Sequence, residues 1–136
     1  MIIKKKLIRC GVIGLGRSGW NIHVNSILKN RDFLILGVCD VDPKVLRKAT
    51  KLLKCKGYIN YIDLLNDEDI DLIIVSTTTK THYTIASKAL KAKKHVLLEK
   101  PLTSNILEMK NLKKLSKKNS KFIINFFNFR FAKEFN

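Results

Sequence analysis

Dense apolar runs alternate along this chain with longer stretches in which apolar residues recur every three or four positions. The runs are LIRCGVIG (7–14), FLILGVCD (33–40), DLIIVST (71–77), HVLLE (95–99) and KFIINFF (121–127), with a shorter GYIN at 57–60. Their apolar residues are continuous rather than alternating, the pattern of strands covered on both faces. Between them, helical patterns are predicted over 18–29, from Pro43 through Leu53, briefly after Asp63, over 81–94 and from Ile106 onward. Asp42 followed by Pro43 marks a helix start, with a cap and a proline at the first helical position. Asn105 with Glu108 has the form of a capping box. Behind it Ile106, Met109, Leu112 and Leu115 form one apolar face. Strand and helix alternate from end to end, with no repeat and no internal boundary. The expectation is an α/β fold, a doubly wound parallel sheet of the Rossmann kind in a single domain. That domain is expected over 1–127, with 128–136 beginning a crossover.

Composition adds three constraints. At 136 residues the chain is long enough for one domain with a real core. Its apolar runs are shorter than the ~20 residues a bilayer requires, and Arg9 and Cys10 break the one stretch that mimics a signal peptide. Cys10, Cys39 and Cys55 are odd in number and lack metal spacing, which fits free thiols in a reducing cytoplasm. The formal charge of +16 raises nucleic acid as a partner. The lysines, however, gather in KLLKCK, KALKAKK and KNLKKLSKK near helix ends, where cations suit the dipole, and no aromatic residues interleave with them.

The chemistry concentrates in VIGLGRSGW (12–20). Gly14, Gly16 and Gly19 form G-x-G-x-x-G between a predicted strand and a predicted helix. The first glycine permits the turn, the second lets backbone approach a pyrophosphate, and the third lets helix press on strand. N–H groups of the loop Gly14, Leu15, Gly16, Arg17, Ser18 and Gly19 attract the diphosphate, and Arg17 adds a cation. Asp40 follows Gly19 by 21 positions at the end of the second run. A carboxylate there accepts the adenosine ribose hydroxyls of NAD and repels the 2′-phosphate of NADP. Asp40 as an ordinary turn residue, and glycines serving packing alone, are the competing readings.

VIGLGRSG with His23 close behind, VCDVDP, and THYTIASKALKAKKHVLLEKPLT resemble the N-terminal half of the glucose–fructose oxidoreductase/inositol dehydrogenase/rhizopine catabolism (Gfo/Idh/MocA) family. The triplet Glu99-Lys100-Pro101 at a strand end selects this family among dinucleotide binders, and the resemblance runs from about Leu7 to Phe131. It implies that Lys100 is catalytic, binding and polarising the reacting oxygen beside the nicotinamide. It implies that Glu99 orients Lys100 or contacts the cofactor. Thr77, Thr78 and His82 match the loop on the nicotinamide side, although the family's Thr-Pro-Asn is replaced here by Thr77-Thr78-Thr79. His82 is read either as a cofactor contact or as a residue that caps or packs, and His95 as structural. The family tends to have glycine where Lys93 stands, in a left-handed helix ending, so Lys93 carries a cost of up to ~1 kcal/mol.

Family members continue into a second domain that supplies most of the substrate pocket. The resemblance therefore implies the NAD-binding domain of an oxidoreductase acting on a secondary alcohol of a sugar, cyclitol or related polyol, incomplete as an enzyme on its own. The alternatives are a dinucleotide-sensing module without turnover and a basic nucleic-acid binder. Phe122, Phe126, Phe127, Phe129, Phe131 and Phe135 crowd the last fifteen residues and predict a self-association surface.

Overall fold

The computed structural model describes residues 6–127. Strands β1 (Ile8–Ile13), β2 (Phe33–Cys39), β3 (Lys56–Tyr58), β4 (Leu72–Val75), β5 (His95–Leu98) and β6 (Ile123–Asn125) form one sheet. Its order is β3-β2-β1-β4-β5-β6 and every pairing is parallel. The order reverses direction between β1 and β4, and open sheets of this class bind ligands outside the strand ends at such a point. Ile13 pairs with Cys39 on one side and Val75 on the other, and Val75 pairs with Leu98. These four residues bring four strands to an even finish, so the loops that follow share one rim.

Helices cover both faces, which is why the strands carry apolar side chains on each. One face holds the turn α1 (Asn25–Leu28) and helix α2 (Pro43–Leu53), packed on Cys10, Val12, Val38 and Ile74. The other holds α3 (Tyr61–Leu65), α4 (Thr79–Lys91) and α5 (Ile106–Asn119), packed on Ile13, Ile73, Val75, Val96 and Leu98. The Asp42 carboxylate accepts from Lys44 N at 2.8 Å and caps α2. Asn105 Oδ1 accepts from Glu108 N at 3.0 Å at the start of α5, while Glu108 reaches back to Ser104 N at 3.1 Å, one residue before the cap.

Four details depart from the sequence pattern. The helix expected over 18–29 contains a π-helical segment, Gly19–Val24, that leads into α1. The wider turn lets Gly19, His23 and Val24 all face inward. The apolar face of α5 is only half used: Leu112 is buried and Leu115 packs on the core, but Ile106 and Met109 remain exposed. The strand expected over 121–127 shortens to Ile123–Asn125, since β6 has a partner on one side only. Lys94, the last residue of the KALKAKK run placed near a helix end, is buried. Its ammonium donates to the carbonyls of Asp67 at 2.6 Å and Ile70 at 2.8 Å, and burial lowers its pKa. Lys93 does lie in the left-handed region, at φ 58°.

At the far end of the sheet Arg9 clamps β1 to the loop before β4 through Asp71, with contacts of 2.9 Å from both Nε and Nη2. That guanidinium holds the Asp71 carboxyl down at about 2. Cys10 and Cys39 are buried free thiols, pushed by desolvation to about 12 and about 11.

Candidate functional site: a cleft at the strand ends

The loop after β1 is shaped by contacts that leave little choice of residue. Gly14 stands at φ 89°, and a Cβ there would lie 2.8 Å from the Ser76 carbonyl oxygen. A Cβ on Gly19 would collide with the Gly14 carbonyl, so the helix that follows sits hard against the turn. Ser76 holds the same turn from β4 by donating from Oγ to the Gly14 carbonyl at 2.8 Å. Gly16 is different: a Cβ there would meet nothing within 4 Å. Two glycines thus satisfy packing, and the middle one opens onto space.

That space is a cleft of about 630 Å³ between the ends of β1, β2 and β4. Gly14, Gly16, Arg17, Ser18, Asp40, Thr77 and Thr78 all line it, seven of the residues that the sequence singles out. Asp40 Oδ2 accepts from Leu15 N at 2.8 Å and its Oδ1 from Asp42 N at 2.9 Å. The carboxylate therefore fixes the glycine loop while each oxygen keeps further acceptor capacity towards the cleft. Leu15 contributes only this backbone contact, because its side chain is buried in the core beside Val12 and Val24. Gly19 backs the loop from beneath.

Sequence reasoning missed several liners. Ser76 and Thr81 are polar, and Val41, Ile59, Tyr61 and Ile85 give one wall apolar surface. Val41 is 86% exposed immediately after Asp40, and Ile59 is 54% exposed. The readable signal was a bulky apolar residue at a strand tip, where a turn ordinarily has a polar one.

His82 is 1% exposed, at the start of α4. Nδ1 lies 2.9 Å from the Pro101 carbonyl and Nε2 3.0 Å from the Thr77 carbonyl. Both ring nitrogens are thereby turned to backbone, and the ring ties the Thr77 loop to the loop after β5. Glu99 and Lys100 sit at the end of β5, beyond the residues that line the cleft. Glu99 is buried: its Oε1 lies 2.7 Å from His23 Nε2, and its Oε2 accepts from Lys100 N at 3.2 Å. The π-helical segment carries His23 to this position, and Phe126 packs edge-on against its ring at 4.7 Å. Lys100 is exposed and precedes a cis peptide to Pro101. His95 Nδ1 accepts from Phe122 N at 3.0 Å, a structural role. Phe122 is 71% and Phe127 46% exposed, while Phe129, Phe131 and Phe135 lie outside the described residues. Among the described residues no cluster of His, Cys, Asp and Glu could hold a metal, and no helix is long and apolar enough to cross a membrane.

The cleft, the glycine loop and the strand-tip acid coincide with residues 8–127 matching the model of an oxidoreductase family with an NAD-binding Rossmann fold, GFO_IDH_MocA. The chain belongs to the Gfo/Idh/MocA oxidoreductase family. It is similar to a myo-inositol 2-dehydrogenase of Thermotoga maritima, at 34% identity over 94% of this chain and 38% of that protein. The WlbA dehydrogenase of Chromobacterium violaceum, solved with NADH and UDP-GlcNAcA, superposes with a TM-score of 0.91 at 26% identity, over 98% of this chain and 39% of the other. Biliverdin reductase of Synechocystis, solved with biliverdin and NADP+, superposes at 0.81 and 25% identity, over 87% of this chain and 37% of the other. The chain thus spans less than two-fifths of the length of these relatives. What it forms is the NAD-binding Rossmann domain of the family, and the residues present fit that cofactor: open space at Gly16, a carboxylate at the second strand tip and an apolar wall beside it.

Proposed function

We infer that the cleft holds NAD(H) in a single orientation and that the domain serves oxidation of a secondary alcohol on a polyol, or its reverse. Gly16, the N–H groups of the loop and Arg17 would hold the pyrophosphate and meet its charge. Asp40 accepts from the adenosine ribose hydroxyls. Val41 and Ile59 cover the adenine, which accounts for two apolar side chains standing exposed on the cleft wall. Thr77, Thr78 and Thr81 face the nicotinamide side, with the Thr81 hydroxyl donating to Thr77 Oγ1 at 2.8 Å and so setting that loop. When bound, the nicotinamide supplies or accepts the hydride.

The remaining residues position and polarise. Lys100 binds and polarises the reacting oxygen, its amine taking the hydroxyl proton when the alcohol is oxidised and its ammonium returning that proton in the reverse direction. Glu99 and His23 anchor the backbone from which Lys100 projects, and His82 anchors the carbonyl of Pro101 one residue later. These residues position the chemistry without taking part in it. The polyol class rests on the inositol dehydrogenase among the relatives.

The observation that carries this reading is the Asp40 carboxylate, held between Leu15 N and Asp42 N on the rim of a cleft that Gly16 leaves open. NADH fluorescence titration of the chain, repeated with NADPH, tests it. Saturable binding of NADH, tighter than NADPH, is expected. No saturation with either, or equal or tighter NADPH binding, overturns it.

A further inference from the structure

Strand β6 is thinly supported for a strand of this sheet. It pairs with β5 alone, through Val96–Ile123, Leu97–Ile124 and Leu98–Asn125. Ile123 packs on the core beside α5, while Ile124 points to the other face and is 51% exposed. A short edge strand with one face bare opens more readily than the strands behind it. Its hold depends on what grips its two ends, and a histidine stands at each.

At the first end His95 of β5 meets Phe122. The rings stack at 5.3 Å, and His95 Nδ1 lies 3.0 Å from Phe122 N. A backbone amide only donates, so Nδ1 is the acceptor and the ring is the neutral tautomer with its hydrogen on Nε2. An imidazolium carries a hydrogen on both nitrogens and accepts nothing. Protonation would therefore set two N–H groups against each other, leaving this end the single bond from Val96 N to the Phe122 carbonyl at 2.9 Å. At the second end Phe126 N donates to the Leu98 carbonyl at 2.9 Å, and the Phe126 ring packs on His23. His23 in turn holds Glu99, which accepts from Lys100 N.

The charges that face His95 come from three segments. Lys121, just before β6, opposes an imidazolium, and Asp71, just before β4, favours one while itself bound to Arg9. Glu68, Lys93 and Lys94 line the same hollow of about 300 Å³, with the Lys94 ammonium committed to backbone carbonyls. Burial and Lys121 outweigh Asp71, so the ring titrates below its ordinary 6.5. A folded value below the unfolded one means that the stabilisation is fully present above about pH 6.5 and is lost as pH falls through the folded value.

We propose that His95 is an acid-sensitive latch on β6: neutral, it holds the strand by accepting from Phe122 N, and protonated, it releases the strand and loosens Phe126 from His23, and with it the support of Lys100.

Amide hydrogen exchange of the chain without cofactor tests this from about pH 7.5 to about pH 5, above the range in which Asp67 and Asp71 protonate. After correction for intrinsic exchange, protection at Phe122 and Phe126 should fall about five- to tenfold, while β1 and β4 hold theirs. The midpoint should coincide with that of the His95 ring protons. His95→Asn keeps an acceptor near the Nδ1 position without a titrating group, and should protect both amides across the range. His95→Phe keeps the ring without the acceptor, and should leave them weakly protected at every pH. Protection at Phe126 that stays constant while Phe122 loses its own, a loss that persists in His95→Asn, or a midpoint away from that of His95 overturns the proposal. The comparison of midpoints in the wild type decides even where a variant does not fold.

Discussion

Replacing Asp40 by Asn separates two duties that the carboxylate performs at once. The first is structural. Its two oxygens accept from Leu15 N at 2.8 Å and Asp42 N at 2.9 Å. Asparagine keeps one acceptor oxygen and turns an NH2 group towards the other donor. One charged hydrogen bond of about 1.5–3 kcal/mol is lost, and the glycine loop loosens for either cofactor. The second duty is electrostatic and distinguishes the cofactors. A 2′-phosphate carries about −1.5 to −2 charge. A unit charge pair 4 Å apart interacts by about 1 kcal/mol in water and about 4 kcal/mol at the effective dielectric near a protein surface. The cleft is open to solvent, so the repulsion that Asp40 exerts belongs in the lower part of that range, about 1.4–2.8 kcal/mol. Removing it should shift the NADPH-to-NADH affinity ratio ten- to hundredfold towards NADPH. Fluorescence titration of wild type and Asp40→Asn with both cofactors reads the two effects apart: absolute affinity for NADH falls, and the ratio moves. If both affinities fall together and the ratio stays fixed, Asp40 only holds the loop, and its part in cofactor choice is refuted.

Gly16 and Gly19 should respond differently to alanine. Gly16→Ala should fold normally yet weaken NADH at least tenfold, whereas Gly19→Ala should lower thermal stability sharply, because its methyl meets the Gly14 carbonyl; equal effects on folding would contradict the packing described here. Lys93→Gly relieves a lysine at φ 58° and should stabilise the domain by about 0.5–1 kcal/mol, a rise in Tm of about 2–4 °C, with a fall in Tm as the contrary result. Acid titration follows from Asp67 and Asp71, both held at about 2, the first by Lys56 and Tyr58 and the second by Arg9. Their folded values lie below the unfolded ones, so their stabilisation is fully present above about pH 4 and is lost as pH falls through about 2. The urea midpoint should decline over that window and decline less in Asp71→Asn; a flat midpoint from pH 5 to 2 would contradict it.

Most of the architecture was legible because parallel strands buried on both faces have little freedom of composition. The runs at 7–14, 33–40, 71–77 and 95–99 match β1, β2, β4 and β5, and the cap at Asp42 fell where α2 begins. The glycine loop and Asp40 were legible for a related reason, since φ and close approach restrict what can occupy those positions. Edges were less legible. The exposed first turn of α5 and the short β6 escaped the pattern, since periodicity in a helix does not report the extent of the surface it meets. Lys94 was unreadable within a lysine run, because its burial is decided by the carbonyls of Asp67 and Ile70, distant in sequence. His23 and Glu99 lie 76 positions apart, and their pairing needs a π-helical segment that no composition signal announces.

These long-range contacts explain why the strand-end rim acts as one unit. Asp40 after β2 holds Leu15 after β1, Ser76 after β4 holds Gly14, and His23 in the first helical segment holds Glu99 after β5. His82 joins the Thr77 loop after β4 to Pro101 after β5. Each strand end that borders the cleft is therefore tied to another by a side chain, not left to backbone pairing alone. Loops anchored only at their own strands open readily, and a cofactor that spans three of them would have to order each on binding. Cross-ties of this kind move that ordering cost into folding, so the cleft meets the dinucleotide with its donors and acceptors already placed. The same economy explains why the ties are short polar contacts at the rim while the strands behind them are apolar: shape comes from the core, and register between the loops comes from Asp40, Ser76, His82 and the His23–Glu99 pair.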